Sequence, residues 1–121
     1  MMFVASNQSR QLLYLSFVGT VRPETFVHYR PDLVAHLSLL SPNFRCLVDL
    51  THLEFMAPDC QTELGRQMDL IAQAGVNLLV RVIPDASKDM GMSIMTVFHY
   101  SRQVRVVTCL HFTEAIKVLG F

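Results

Sequence analysis

The segment from Leu47 to Leu64, LVDLTHLEFMAPDCQTEL, gathers a carboxylate (Asp49), a hydroxyl (Thr51), an imidazole (His52) and a thiol (Cys60) within a dozen positions. His52 acting as a base toward Cys60 would make a thiolate nucleophile, which requires the two groups within hydrogen-bond reach. A helix N-terminus near Cys60 would favour that thiolate. Against it, Cys60 recurs with Leu64, Met68 and Ile71 on one apolar stripe, which turns the thiol inward, as free cysteines usually are. The segment therefore reads as non-enzymatic. Thr51 has the position of a turn hydroxyl or a phosphate acceptor. Asp59 opens a helical pattern, where a carboxylate serves as an N-cap or a fixed charge. Asp49 closes an otherwise apolar strand, either holding loop N–H groups or standing solvated.

Two periodicities alternate around this segment. LLYLSFVGTV (12–21) is a β-prone apolar run with a bend near Gly19. Pro23 suits the first turn of a helix, in which Phe26, Leu33, Leu37 and Leu40 share a face until Pro42, with a kink or restart at Pro31. FRCLVDL (44–50) is the next strand, followed by a loop and a helix from about Asp59 to Ala74, capped by Gly75. NLLVRVI (77–83) is a further strand. Asp85 or Ser87 then starts a helix through Ser101, with Met90, Ile94, Val97 and Phe98 inward. VRVVTCL (104–110) is the last strand, and Thr113 caps a short closing helix in which Ala115, Ile116 and Leu119 pack. The opening MMFVAS is an edge strand.

Strand then helix four times over, with strands apolar on both faces, gives an α/β domain. The expectation is one domain over 1–121, a mostly parallel sheet of four to five strands flanked by helices. In such sheets function gathers beyond the carboxyl ends of the strands. Four segments end there: Gly19 to Pro23, Asp49 to Asp59, Ile83 to Ser87 and Cys109 to Thr113. The second is the longest and most polar.

Composition narrows the classes of function. Ten Lys and Arg balance ten Asp and Glu, with four basic and five acidic residues in 1–60 and six and five in 61–121. No basic arm is present to neutralise phosphates, so no nucleic-acid partner is expected. The three cysteines offer no C-x-x-C pattern, and the five histidines form no H-E-x-x-H or His/Cys cluster, so no metal is expected. Single glycines in GMSIM and GVNLL cradle no phosphate, and no cofactor is expected. No apolar run reaches the ~18 residues of a membrane span. Reduced cysteines and no leader pattern point to a cytoplasmic protein.

The strand–helix order, with DLTHLEFM leading into a helix, resembles the STAS domain of the SpoIIAA-like, anti-sigma-factor-antagonist group. Antagonists of that family carry a pattern close to D-L-S-x-L-x-F-M-D-S-S-G-L. Asp49, Leu50, Thr51, Leu53, Phe55 and Met56 match it or nearly so, and TCLHFTEAIKVLGF is similar to the family's closing strand and helix. The resemblance implies a (βα)4 SpoIIAA-like fold. Ala57, Pro58, Asp59 and Cys60 replace D-S-S-G, which puts Asp59 where the family's phosphorylated serine stands. A serine kinase cannot modify Asp59, whose single charge is weaker than the roughly −1.5 to −2 of a phosphate.

The functional expectation is a regulatory or scaffold domain that binds a protein partner through Thr51, His52, Glu54, Pro58, Asp59 and Thr62. Thr51 and Asp59 would set local charge and cap geometry, and the other four would touch the partner. The alternative is a small-molecule module taking an anion, nucleotide or lipid at helix N-termini on the sheet's carboxyl edge. A homodimer is a further expectation from the apolar composition.

Overall fold

The computed structural model describes residues 1–85 and 104–121. In chain order, β1 (Met2–Asn7), β2 (Leu12–Phe17) and β3 (Gly19–Val21) precede α1 (Pro23–Leu37), β4 (Arg45–Asp49) and β5 (Leu53–Met56). A 3-10 turn (Pro58–Cys60) leads into α2 (Gln61–Ala74), and β6 (Leu78–Val82), β7 (Arg105–Cys109) and α3 (Phe112–Val118) follow. Five strands form the main sheet in the order β1-β2-β4-β6-β7, while β3 and β5 form a separate two-stranded sheet. β1 lies antiparallel at the edge, and every other neighbouring pair is parallel. The α/β, mostly parallel architecture expected from the sequence is what the chain adopts. The helix expected between Asp85 and Ser101 lies outside the described residues.

Both faces of the sheet are covered, which is why its central strands read as unbroken apolar runs. On one face Leu13, Leu15, Phe17, Cys46 and Leu79 meet Phe26 and Leu33 of α1 and Leu64, Met68 and Ile71 of α2. On the other, Leu47, Val80, Val82 and Cys109 meet Ala115 of α3 and Leu119 just after it. Neighbouring residues such as Cys46 and Leu47 serve opposite cores because side chains alternate along a strand. The Phe17 and Phe26 rings pack with centroids 5.7 Å apart, tilted by 51°, within the range that favours aromatic pairs. Each large apolar side chain fully buried here contributes about 1.5–3 kcal/mol.

The structure corrects the sequence reading in several places. The bend expected near Gly19 is present, at φ 69°, with β2 ending at Phe17, but the chain then forms a further strand, β3, outside the main sheet. The loop expected after Leu50 contains β5, paired with β3. Asp59 is not an N-cap. Pro58 begins a 3-10 turn, so α2 starts two residues later with Cys60 in the cap position and no side-chain cap bond. Thr113 likewise lies inside α3, whose N-cap is His111.

The α1 helix holds further differences. Its first turn is as expected: Pro23 needs no donor there, and the Arg22 N–H donates to Thr25 Oγ1 at 3.1 Å. It does not restart at Pro31 but continues to Leu37, and Leu40 packs against the core from beyond its end. Pro31 is exposed, and so is Val27, whose carbonyl loses its partner four residues on. The proline lies on the helix's solvent side, where a carbonyl without its intrahelical partner costs least.

A three-residue ion cluster ties the two helices together. Arg30 of α1 donates to Glu63 Oε2, and Arg66 Nη1 donates to Glu63 Oε1 at 3.0 Å. The hydrogen bond from Arg30 holds the Glu63 carboxyl below its ordinary value of 4.5, opposed by burial and helped by the charges of Arg30 and Arg66. A depressed carboxyl stabilises fully above its unfolded-state pKa, and that contribution disappears as pH falls through the lower folded value. Glu63→Gln is therefore expected to melt below wild type at neutral pH, with the gap closing once pH drops under 4.5. Thermal melts stepped from about pH 7 to about pH 3 check this. A gap that stays constant with pH would remove the charge from the explanation.

Candidate functional site

Leu50 is where the chain leaves the centre of the sheet, and Asp49 before it organises the exit. Asp49 is buried at the carboxyl end of β4. Its Oδ1 accepts the Thr51 N–H at 3.0 Å and the Thr51 hydroxyl at 2.5 Å, while Oδ2 accepts the Tyr14 hydroxyl of β2 at 3.5 Å. Of the two sequence readings for Asp49, holding the loop is the one the geometry supports. The Leu50 N–H meanwhile donates to Val82 O at 3.0 Å and the Leu53 N–H to Leu50 O at 3.2 Å, closing a tight turn.

Beyond that turn, β3 acts as a brace. Gly19 N–H donates to His52 O at 2.9 Å, and Ala57 N–H donates to Val21 O at 3.0 Å, so β5 is fixed at both ends. Leu53 and Met56 point into the core, whereas Glu54 and Phe55 between them face solvent. The Cys60 thiol is buried and lies 3.5 Å from Val21 O, to which it donates. Burial pushes that thiol above its ordinary value, and the Asp59 charge pushes the same way. His52 is exposed. A buried thiol with raised proton affinity that donates to a backbone carbonyl is not an activated nucleophile.

Of the six residues selected from the sequence, His52, Glu54, Pro58, Asp59 and Thr62 are exposed. Thr51 is half-buried, its hydroxyl turned to Asp49. Phe55 was not among the selected residues, yet it is 46% exposed in the middle of the group. Two consecutive solvent-facing residues break the alternation that a strand normally shows.

No protein-family model matches the sequence, and no curated protein matches it either. Solved structures do match in fold. A Shewanella loihica PV-4 protein of the DUF3478 family, described as having a SpoIIAA-like fold, superposes with a TM-score of 0.71 at 14% identity, over 98% of this chain and 92% of that one. The anti-sigma factor antagonist SpoIIAA in its unphosphorylated form gives 0.59 at 17% identity over the whole of both chains. The Bacillus cell fate determinant SpoIIAA in its phosphorylated form gives 0.59 at 16% identity, over 98% of this chain and 99% of that one.

The fold is SpoIIAA-like.

Within this SpoIIAA-like frame the corner from Asp49 to Thr62 stands at the carboxyl end of the central strand β4. A cleft formed by described residues lies elsewhere, between α1 and α2. It is shallow, about 250 Å³, and lined by Arg30, Arg66, Asp69, Leu70 and Gln73. Among the described residues no group of three or more His, Cys, Asp or Glu side chains is placed to hold a metal ion. No helix among them is long and apolar enough to cross a membrane.

Proposed function

We propose that this chain is a regulatory or scaffold domain, not an enzyme, that binds a protein partner through the corner at residues 51–62. The observation that carries the reading is the contrast between a braced interior and an outward-facing exterior. Asp49, Thr51, Leu53, Met56 and Cys60 hold the backbone, while His52, Glu54, Pro58, Asp59 and Thr62 are presented to solvent. A surface already in its binding conformation loses little entropy on association. The likeness to SpoIIAA, described as an anti-sigma factor antagonist with a phosphorylated and an unphosphorylated form, supports a partner-binding role. Asp59, in the register of the family's serine, would give the corner one permanent charge and no phosphate cycle.

Alanine at Glu54, Asp59 and Thr62 together is expected to lower partner capture at least about tenfold, with the melting temperature little changed. Cross-linking capture from the native cell, wild type against the triple variant, measures it. Retention of every captured protein by the triple variant would show that this face is not the interface.

A further inference from the structure

We propose that Phe55 is the apolar anchor of the corner and that the surface it docks into is a basic segment of a protein partner. The inference rests on the partner-binding reading above and adds the chemistry of the partner.

Phe55 keeps nearly half its surface in water although both β5 residues that flank the pair Glu54–Phe55, Leu53 and Met56, are buried. The ring is therefore held out by a backbone fixed on both sides, not by a mobile loop. Its cross-strand neighbour in the β3–β5 register is Thr20, a small residue that is itself exposed. A rigid aromatic side chain surrounded by polar groups is the anatomy of an interface hot spot. Its neighbours carry a bias of charge. Glu54 adjoins it in sequence and Asp59 lies four residues on, while the pairing of Val21 with Met56 and the bond from Ala57 N–H to Val21 O bring Arg22 and Glu24, which follow Val21 closely, to the same corner. Glu24, Glu54, Asp59 and Arg22 are all exposed. Among the described residues of the corner, three carboxylates thus face one guanidinium. A basic partner surface complements that rim and an acidic one is repelled, with the rim setting the encounter rate and the anchor the lifetime.

The test uses the isotope-labelled full chain and three synthetic probes: an amphipathic Lys/Leu peptide, its Glu/Leu counterpart and a Lys/Ser peptide without apolar residues. The Lys/Leu probe is expected to move amide resonances of residues 54–59 and Thr20. Phe55→Ala should weaken it about tenfold, and Glu54→Gln with Asp59→Asn should weaken it and flatten its salt dependence. Equal binding of the Glu/Leu probe at the same amides, equal binding of the Lys/Ser probe, or an unchanged affinity of Phe55→Ala would overturn the proposal. A captured partner that needs the corner but presents an acidic face would sink this inference alone and leave the broader reading intact. Loss of corner dependence altogether would remove both.

Discussion

Asp49→Ala is expected to destabilise the fold by about 2–4 kcal/mol and to abolish capture of any partner that depends on residues 51–62. The size follows from what the side chain holds. Three donors converge on it: the Thr51 N–H, the Thr51 hydroxyl and the Tyr14 hydroxyl. Removal takes the Asp49 acceptor, itself only 6% exposed, away from a backbone N–H and two hydroxyls, and a buried donor that loses its acceptor costs about 1–3 kcal/mol before relaxation. Relief of carboxylate burial offsets part of that, which keeps the total below a simple sum. Asp49→Asn preserves an acceptor at Oδ1 and should lose about half as much. A second readout separates this mechanism from general loosening. The Tyr14 hydroxyl is held above its ordinary value of 10.0 chiefly by burial, opposed by a hydrogen bond from Ser16 and reinforced by the charge of Asp49. In either variant the Tyr14 titration, followed by NMR, should move down toward 10.0. Chemical denaturation that matches wild type, together with an unmoved Tyr14, would remove Asp49 from its organising role.

The strands and helices around this corner were legible because burial on both sheet faces forces long apolar runs, and because Pro23 and Gly75 have fixed backbone preferences. The details of the corner were not. β5 is four residues long with Glu54 and Phe55 both outward, so it lacks the period of two by which a half-buried strand is read. Asp59 has the side chain of an N-cap, but the proline before it spends one turn on a 3-10 segment and shifts the helix start to Gln61. Phe55 sat inside an apolar motif, where nothing in the sequence marks it as exposed. Only the burial of Leu53 and Met56 on either side of the pair reveals that Phe55 must point away. The clamp of Glu63 on Arg30 joins residues thirty-three positions apart on different helices, a distance that no local pattern spans. What local physics dictates was readable; what depends on one element meeting another was not.

The same distinction governs Gly75→Ala, expected to cost about 2–4 kcal/mol in chemical denaturation. Gly75 ends α2 with φ at +102°, a region L-residues enter at about 1–2 kcal/mol. That part is visible in the sequence, since a glycine closing an amphipathic run signals a left-handed stop. The remainder is tertiary. A Cβ on residue 75 would lie 2.9 Å from Pro42 Cα and 3.0 Å from Pro42 Cβ, inside contact distance of a stiff ring. Nor can Pro42 retreat freely. The next residue, Asn43, donates its N–H to Gly75 O at 2.7 Å, and Asn77 N–H donates to Phe44 O at 3.0 Å, so the end of α2 and the entry to β4 are stitched to each other. Any shift that makes room for the methyl must stretch bonds that set the strand's start, and overpacking of this kind costs about 1–3 kcal/mol. Gly19→Ala is the control, because Gly19 has φ at +69° with nothing within 4 Å of the added carbon. It should show the backbone cost alone. The difference between the two variants isolates the Pro42 contact. If Gly75→Ala proves no worse than Gly19→Ala, the helix end yields to the methyl and the junction is softer than its hydrogen bonds imply.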